Sequence, residues 1–210
     1  MSNKPMFTQP KQKRSRQRVD AILNAASELF AEVGYESATI IEIAARSNTA
    51  VGSMYQFFAN KEAILYAIVE RYVTAATEVF ANIQVESYPD MTLEQSIKAI
   101  LLPLKAFIRD NRDFQVIFST QRGPAFLEQT IRAMDEDFLA RNDRALAQAR
   151  PNLNAADRRK YSLVCMVIMK AMLGMSTYTT ELTFDEIFEE LEAVYIRYLT
   201  PVMDFQPPKT

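Results

Sequence analysis

The fold of this chain is decided by the stretch TIIEIAARSNTAVGSMYQF at residues 39–57. Thr39 followed three positions later by Glu42 is the capping-box pattern that begins a helix. The polar residues 47–49 end this helix, and a third helix of about two turns follows to Phe57 or Phe58. Two short helices joined by a turn, near residues 39–55, predict a helix-turn-helix, in which the second helix enters the major groove of DNA.

The flanking segments extend this unit on both sides. Upstream, apolar residues recur at three- and four-residue spacing, which predicts an amphipathic helix that Gly34 ends. Its expected inner face comprises Val19, Ile22, Leu23, Ala26, Leu29, Phe30 and Val33. Downstream, Asn60 is expected to cap a long fourth helix.

The remaining residues are also helical in pattern. Three pairs predict helix starts by the same capping logic: Thr92 with Gln95, Asn154 with Asp157, and Thr183 with Glu186. A short helix is expected near residues 112–120, and Pro103 is expected to kink the helix that contains it. The last helix is expected to end near Leu199, before Pro201. We therefore expect an all-α fold of about nine helices, with an N-terminal three-helix DNA-binding unit and a C-terminal helical bundle.

The predicted organisation has four parts. A flexible basic arm spans residues 1–14, and the helix-turn-helix domain spans residues 15–62. The C-terminal bundle spans residues 63–203, and a loose tail spans residues 204–210.

The composition fits a helical protein of the cytoplasm. Hydrophobic residues make up 49% of the 210 positions, and there are only four glycines, which favours helices over tight turns. The single cysteine, Cys165, rules out an internal disulfide and fits a reducing compartment. No apolar run approaches the roughly 18 residues of a membrane span, and the polar, basic N-terminus is no secretory signal. We expect no membrane association.

The net charge of −2 is unevenly distributed. Residues 1–61 carry +3 and residues 62–210 carry −5. A basic head on an acidic body indicates binding to an anionic polymer, although a solvated basic tail has the same composition.

The third helix has the small, polar outer face that a groove-binding helix needs. Ala50, Gly52, Ser53 and Gln56 belong to that face. Gln56 is able to contact adenine through two hydrogen bonds, and Ser53 a base or a phosphate. Gly52 would permit close approach either of DNA or of another helix.

Three segments resemble the tetracycline-repressor (TetR) family. They are TIIEIAAR at residues 39–46, VGSMYQFFANKEAIL at residues 51–65, and AILNAASELFAEVGY at residues 21–35. Thr49 and Ala50 stand where members often carry valine and serine, and Val51 where many carry lysine. Because Ala50 replaces the serine that members often carry, Thr49 is the expected cap of the third helix.

The resemblance implies a homodimeric repressor that binds a palindromic double-stranded DNA operator and releases it when a small molecule binds. It implies that Thr39, Tyr55 and Lys61 contact phosphates. It also implies that Thr49, Ala50, Ser53 and Gln56 face base edges and that Arg14, Arg16 and Arg18 reach the backbone or minor groove. Capping alone is the alternative role for Thr39 and Asn60.

The last two long helices are the expected dimer interface. Residues 163–175 are apolar almost all round, more than one core face requires, and Gly174 and Ser176 would allow a close crossing. The central helix of a monomeric core is the alternative. The expected interface residues are Cys165, Met172, Gly174, Phe188, Leu191, Tyr195 and Tyr198.

The resemblance also implies that residues 63–203 form a ligand-binding and dimerisation domain, with a small-molecule site among the middle helices. Ten methionines and thirteen phenylalanines suit an adaptable apolar interior, and we expect an apolar or amphipathic effector. The candidate lining residues are Phe107, Phe114, Phe118, Phe126, Met134, Phe138, Met169 and Tyr178. For each of these residues taken individually, an ordinary core position is the favoured role.

Other functional classes are largely excluded. The chain has no histidine, which removes Ser-His-Asp, Cys-His and imidazole-zinc chemistry, and no glycine-rich phosphate loop occurs. Catalytic residues, metals and cofactors are therefore not expected. The acidic clusters at residues 135–137 and 189–190 are interpreted as solvated helix faces, and Cys165 as an inert core thiol. A helical protein-interaction module remains as an alternative, and it predicts no salt-dependent affinity for DNA.

Overall fold

A computed structural model describes residues 12–81, 91–111, 113–114, 124–175 and 181–203. All regular structure within these ranges is helical, which confirms the predicted all-α class. The eight helices are α1 (Lys13–Val33), α2 (Ile40–Arg46), α3 (Val51–Phe57), α4 (Lys61–Ala81), α5 (Leu93–Asp110), α6 (Ala125–Ala149), α7 (Ala155–Met175) and α8 (Phe184–Met203). Apart from Asp113 and Phe114, the predicted short helix near residues 112–120 lies outside the described residues.

The predicted helix starts are confirmed by hydrogen bonds. Thr39 and Thr92 each form a complete capping box, with the hydroxyl 3.2 Å from the backbone nitrogen of the N3 residue. Asn60 accepts a bond from the Ala63 nitrogen at 2.8 Å and caps α4. Gly34 ends α1 at a φ of 82°, a left-handed conformation that favours glycine.

Two boundaries differ from the sequence-based expectation. Helix α8 continues through Pro201 to Met203, because a proline in the last turn removes only one backbone hydrogen bond there. Helix α1 begins at Lys13, so Arg14 lies in a helix and not in a flexible arm. Pro103 lies inside α5 without interrupting it.

The chain forms two compact units. The first consists of Met1–Ala75 with Arg112–Ile131, and the second of Ala76–Asn111 with Arg132–Thr210. The first unit therefore extends beyond the predicted domain at residues 15–62.

Each unit has its own core. In the first, α1 packs on α2 and α2 on α3, and fully buried side chains come from all of the first four helices: Ile22, Ile43, Met54, Ile64 and Ile68. In the second, α5 and α7 both pack on α8, whose Ile187 and Leu191 are completely buried. Burial of these apolar faces is the main force that holds each unit together.

Candidate nucleic-acid interface and a second-unit cavity

The turn between α2 and α3 is closed by its own backbone. Thr49 donates its N–H to the Ala44 carbonyl at 2.9 Å, and Asn48 adopts a φ of 49°, which asparagine tolerates better than most residues. The prediction that Thr49 caps α3 is wrong, because Ala50 occupies the N-cap position and makes no side-chain bond. The Thr49 hydroxyl instead donates to the Ser47 carbonyl at 3.3 Å.

Helix α3 separates a buried face from an exposed one. Met54 on α3 and Phe58, the first residue after α3, are each 1% exposed and anchor the helix in the core. Tyr55 is 56% exposed, and Gly52 and Gln56 are also exposed, as predicted for a groove-binding face. The short α3 therefore presents polar and small groups to solvent from a rigid base.

Gly52 is not required by the packing of the chain. A Cβ atom built on it would meet no atom of the described residues within 4 Å, and its φ is not left-handed. Glycine inside a helix costs about 1 kcal/mol relative to alanine. The described residues therefore give no support to the interpretation of Gly52 as a helix-packing residue, and close approach by DNA stays a prediction.

Lys61 is held by three backbone carbonyl groups. Its Nζ atom donates to the carbonyls of Tyr35, Glu36 and Ala38 at 2.6, 3.0 and 2.9 Å, and it lies 4.5 Å from the centre of the Tyr35 ring. An ammonium group has three N–H donors, so these contacts employ all of them. Lys61 thus ties the segment before Thr39 to the start of α4, a role that sequence reasoning missed.

A hydrogen-bonded chain lies deeper in the first unit. The Tyr72 hydroxyl donates to an Asp113 carboxylate oxygen and lies 3.0 Å from the hydroxyl of buried Ser27. Burial and the bond to Asp113 raise the pKa of Tyr72 to about 12. These hydrogen bonds link Ser27 on α1 and Tyr72 on α4 to Asp113, which follows α5.

Within the described part of the first unit, the exposed cationic side chains are on α1 and α2. Arg14, Arg16 and Arg18 are exposed along the first turns of α1. Arg46 forms a two-pronged ion pair with Glu32, both N–O distances being 2.7 Å, which lowers the pKa of Glu32. This pair fastens α2 to α1.

The second unit contains a cavity of about 70 Å³, partly open to solvent and lined by described residues of α5, α6, α7 and α8. We call it the α5–α8 cavity. Its walls are mostly apolar, with Ile97, Ile100, Leu146 and Leu199 among them, and its polar members include Ser162. Among the lining residues none is charged.

The predicted ligand residues are not gathered around this cavity. Phe138 alone lines it, and its ring also packs against Phe80 at 6.3 Å. Phe107 and Met169 are core residues of the second unit, and Met134 is half-buried. In the first unit, Phe114 packs against Tyr72 and Phe126 against Tyr66. Phe118 and Tyr178 lie outside the described residues.

The predicted dimer residues fall into two groups. The side chains of four of them belong to the core of their own chain: Cys165, Phe188, Leu191 and Tyr195. Because a buried side chain offers no surface to a second copy, we reassign these four to the core. Met172, Gly174 and Tyr198 are half-buried and stay predictions. The exposed apolar side chains of α7 are Leu163 and Val167, at 44% and 55%.

The Cys165 thiol is buried, and the acidic cluster at residues 135–137 forms ion pairs. Burial raises the pKa of the Cys165 thiol to about 12, and its carbonyl accepts a bond from the Tyr195 hydroxyl at 2.6 Å, so a thiolate is disfavoured. The carboxylates of residues 135–137 pair with basic side chains: Asp135 with Lys170, Glu136 with Arg159, and Asp137 with Arg141.

The described residues contain no group of three or more side chains able to hold a metal ion. Within the same ranges, no helix is long and apolar enough to cross a membrane.

A capped α2, a tight turn, and an α3 with a polar exposed face define the class of helix-turn-helix transcriptional regulators. Family comparison identifies the group within this class. Residues 22–68 match the model of the bacterial regulatory proteins of the tetR family. Residues 92–199, more than half of the chain, match the tetracyclin repressor-like C-terminal domain. The chain belongs to the TetR family of bacterial regulatory proteins.

Individual relatives agree with this assignment. The HTH-type transcriptional regulator HbdR of an Aromatoleum species is 33% identical over 89 residues, which span 42% of this chain and 38% of that protein. A TetR-like regulator from a Rhodococcus species has a TM-score of 0.70 at 15% identity, covering 87% and 96% of the two chains. FadR of Bacillus subtilis, solved with stearoyl-CoA, has a TM-score of 0.66 at 16% identity, covering 84% and 97%.

Proposed function

We propose that this protein is a homodimeric repressor that acts in the cytoplasm, occupies a palindromic operator, and is released by a small apolar or amphipathic ligand. The observation that carries the proposal is the exposed, polar face of α3, anchored by Met54 and Phe58 beside a capped α2. The uncharged α5–α8 cavity supports an apolar ligand.

The proposed contacts divide into two kinds. Ser53 and Gln56 on α3, with Thr49 and Ala50 before it, face base edges and select the sequence. Thr39, Tyr55, Lys61 and the α1 residues Arg16 and Arg18 lie toward the phosphate backbone and position the protein. Because Lys61 already binds three carbonyls, we propose that it acts largely by holding α2 in place.

The dimer is proposed to form through the exposed stripe of α7. Leu163, Val167, Ala171 and Gly174 recur at helical spacing, and a Cβ on Gly174 would meet no described atom within 4 Å. Met172 and Tyr198 are proposed to contribute at the edges. Two copies are needed because one short recognition helix reads too few bases to be selective.

The function is tested by selecting bound duplexes from a random pool and measuring affinity over a range of salt concentrations. We expect a palindromic winner and a steep linear fall of log affinity with log salt, since bound phosphates release counterions. Gln56→Ala is expected to weaken binding to the winner by about tenfold or more and to relax one position of the sequence preference. A salt-independent affinity would favour a protein-interaction module instead.

Gly52→Ala is expected to separate stability from DNA binding. The added methyl group raises helix propensity, and we expect the free energy of unfolding to rise by about 0.5–1 kcal/mol. The same methyl group is expected to weaken operator binding by reducing the closeness of approach. Chemical denaturation and a binding titration measure the two effects, and equal affinity of the variant and the parent would contradict the role given to Gly52.

Lys61→Met is expected to lower the free energy of unfolding by about 1–3 kcal/mol, because three carbonyls lose their partner. Operator and unrelated DNA should be weakened alike. Lys13→Met, at the exposed start of α1, removes the same charge and should leave stability unchanged. Unchanged stability of Lys61→Met, with a salt slope reduced by about one, would show that a phosphate contact is its whole role.

A further inference from the structure

We propose that the α5–α8 cavity binds a slender, uncharged molecule with an apolar body and one neutral hydrogen-bonding group, and that Ser162 holds that group. The proposal rests on the ligand response proposed above and deepens it, since it assigns the site and the chemical class of the ligand. Ketones, aldehydes and alcohols of short carbon chains belong to this class.

The size and polarity of the cavity define the apolar part of the ligand. A volume of about 70 Å³ holds about six water-sized groups, since each needs roughly 10–15 Å³. The walls are built mainly from side chains such as Ile97, Ile100 and Leu199. Because none of the described lining residues carries a charge, an ionised ligand group would meet no opposite charge in these walls.

Of the described residues in the cavity wall, Ser162 is the one with a buried polar atom that lacks a hydrogen bond. The residue is 2% exposed, and its Oγ atom has no hydrogen-bond partner among the described residues. Buried polar groups are normally hydrogen-bonded, so an orphan facing a cavity indicates a group that completes it.

Two other hydroxyl groups in the cavity wall already form hydrogen bonds within the protein. Ser96, also in the cavity wall, donates to the Thr92 carbonyl at 3.0 Å in its own helix. Tyr195 donates to the Cys165 carbonyl at 2.6 Å. Asn142 and Tyr161 also line the cavity, but neither has a buried polar atom that lacks a hydrogen bond. The buried anchor of the cavity is therefore Ser162, which suits a ligand with one polar group.

The test uses two probes of one shape. 2-Pentanone and 2-methyl-1-pentene each have six non-hydrogen atoms and differ only in a carbonyl oxygen against a methylene group. Both are titrated into the full-length protein, and the δ1-methyl NMR signals of Ile97 and Ile100 report binding in the cavity. We expect the ketone to bind more tightly than the alkene, and Ser162→Ala to reduce that preference by about fivefold, the effect of one neutral hydrogen bond.

Two control variants accompany Ser162→Ala. Ser96→Ala removes a hydroxyl that lines the same cavity but is already bonded, and should leave the ketone preference unchanged. Ala149→Leu fills part of the cavity and should weaken both probes. Ser162→Ala removes an unpartnered hydroxyl and is expected to keep or raise the melting temperature, so a folded variant is available for comparison.

Three results would overturn the proposal. The first is the absence of methyl shifts with either probe. The second is equal affinity of the parent protein for both probes, which would mean that Ser162 binds only water. The third is a preference for the ketone over the alkene that is unchanged in Ser162→Ala. If operator binding is intact in those cases, the DNA-binding function stands. If the probes bind as expected but never alter operator affinity, the site stands and the proposed ligand release fails.

Discussion

Replacing Tyr72 with alanine is expected to lower the free energy of unfolding by about 3–5 kcal/mol, the usual cost of deleting a buried aromatic side chain. Tyr72 is 2% exposed on α4 and packs against the ring of Phe114 at 5.5 Å. Its hydroxyl bonds both Ser27 and Asp113. Since small proteins are stable by only about 5–15 kcal/mol, this loss should unfold a measurable fraction of the molecules.

Tyr72→Phe separates the hydroxyl from the ring. It retains the packing and removes the two hydrogen bonds, so the expected loss is about 1–2 kcal/mol. Combined with Ser27→Ala in a double-mutant cycle, it should show coupling, because the two side chains share a bond.

Tyr55→Ala is the matched control for the Tyr72 variants. Tyr55 is 56% exposed on α3, and its removal should change stability by no more than about 0.5 kcal/mol while weakening operator binding. Urea denaturation and DNA titration of both tyrosine variants give the comparison. Equal destabilisation by the two alanine substitutions would contradict the assignment of Tyr72 to the core and Tyr55 to the DNA face.

Val167→Glu is expected to abolish the dimer at micromolar concentration. In a two-fold interface the substitution appears twice, and it buries two like charges without partners. We expect the dimer dissociation constant to rise by about a thousandfold and operator affinity to fall by about a hundredfold. Because Val167 is 55% exposed within the chain, the fold of each copy should be unaffected.

Leu102→Glu is the control for the dimer prediction. Leu102 is 60% exposed on α5 in the same unit, so the variant introduces the same charge outside the proposed interface. Sedimentation velocity should find Leu102→Glu dimeric and Val167→Glu monomeric, with identical circular dichroism. A stable Val167→Glu dimer would place the interface on another face.

The helix starts and the DNA-facing helix were predictable because their causes are local. A threonine and a glutamate or glutamine three residues apart complete a capping box within one turn, as at Thr39 and Thr92. The alternation of buried Met54 with exposed Tyr55 and Gln56 follows from helical spacing. These features need no contact with a distant part of the chain.

The predicted cavity and interface residues depended on information that spacing does not contain. Aromatic and methionine residues serve cores and pockets equally well, and α7 is apolar on more than one face. Only its packing on α8 shows that Cys165 is inside and Val167 outside. Ser162 gave no signal in the sequence, because a serine in an amphipathic helix is common and its lack of a partner exists only in three dimensions.

The capped helix that begins at Thr39 and the helix-turn-helix it opens were therefore determined by the sequence alone, through short-range hydrogen bonds and helical periodicity. The tertiary structure decided what the neighbouring residues do. Lys61 binds backbone carbonyls that lie between 23 and 26 positions earlier in the chain. Gly52 has open space, among the described residues, where a side chain would be. Such roles depend on which atoms meet after folding, and residue type and spacing do not specify that.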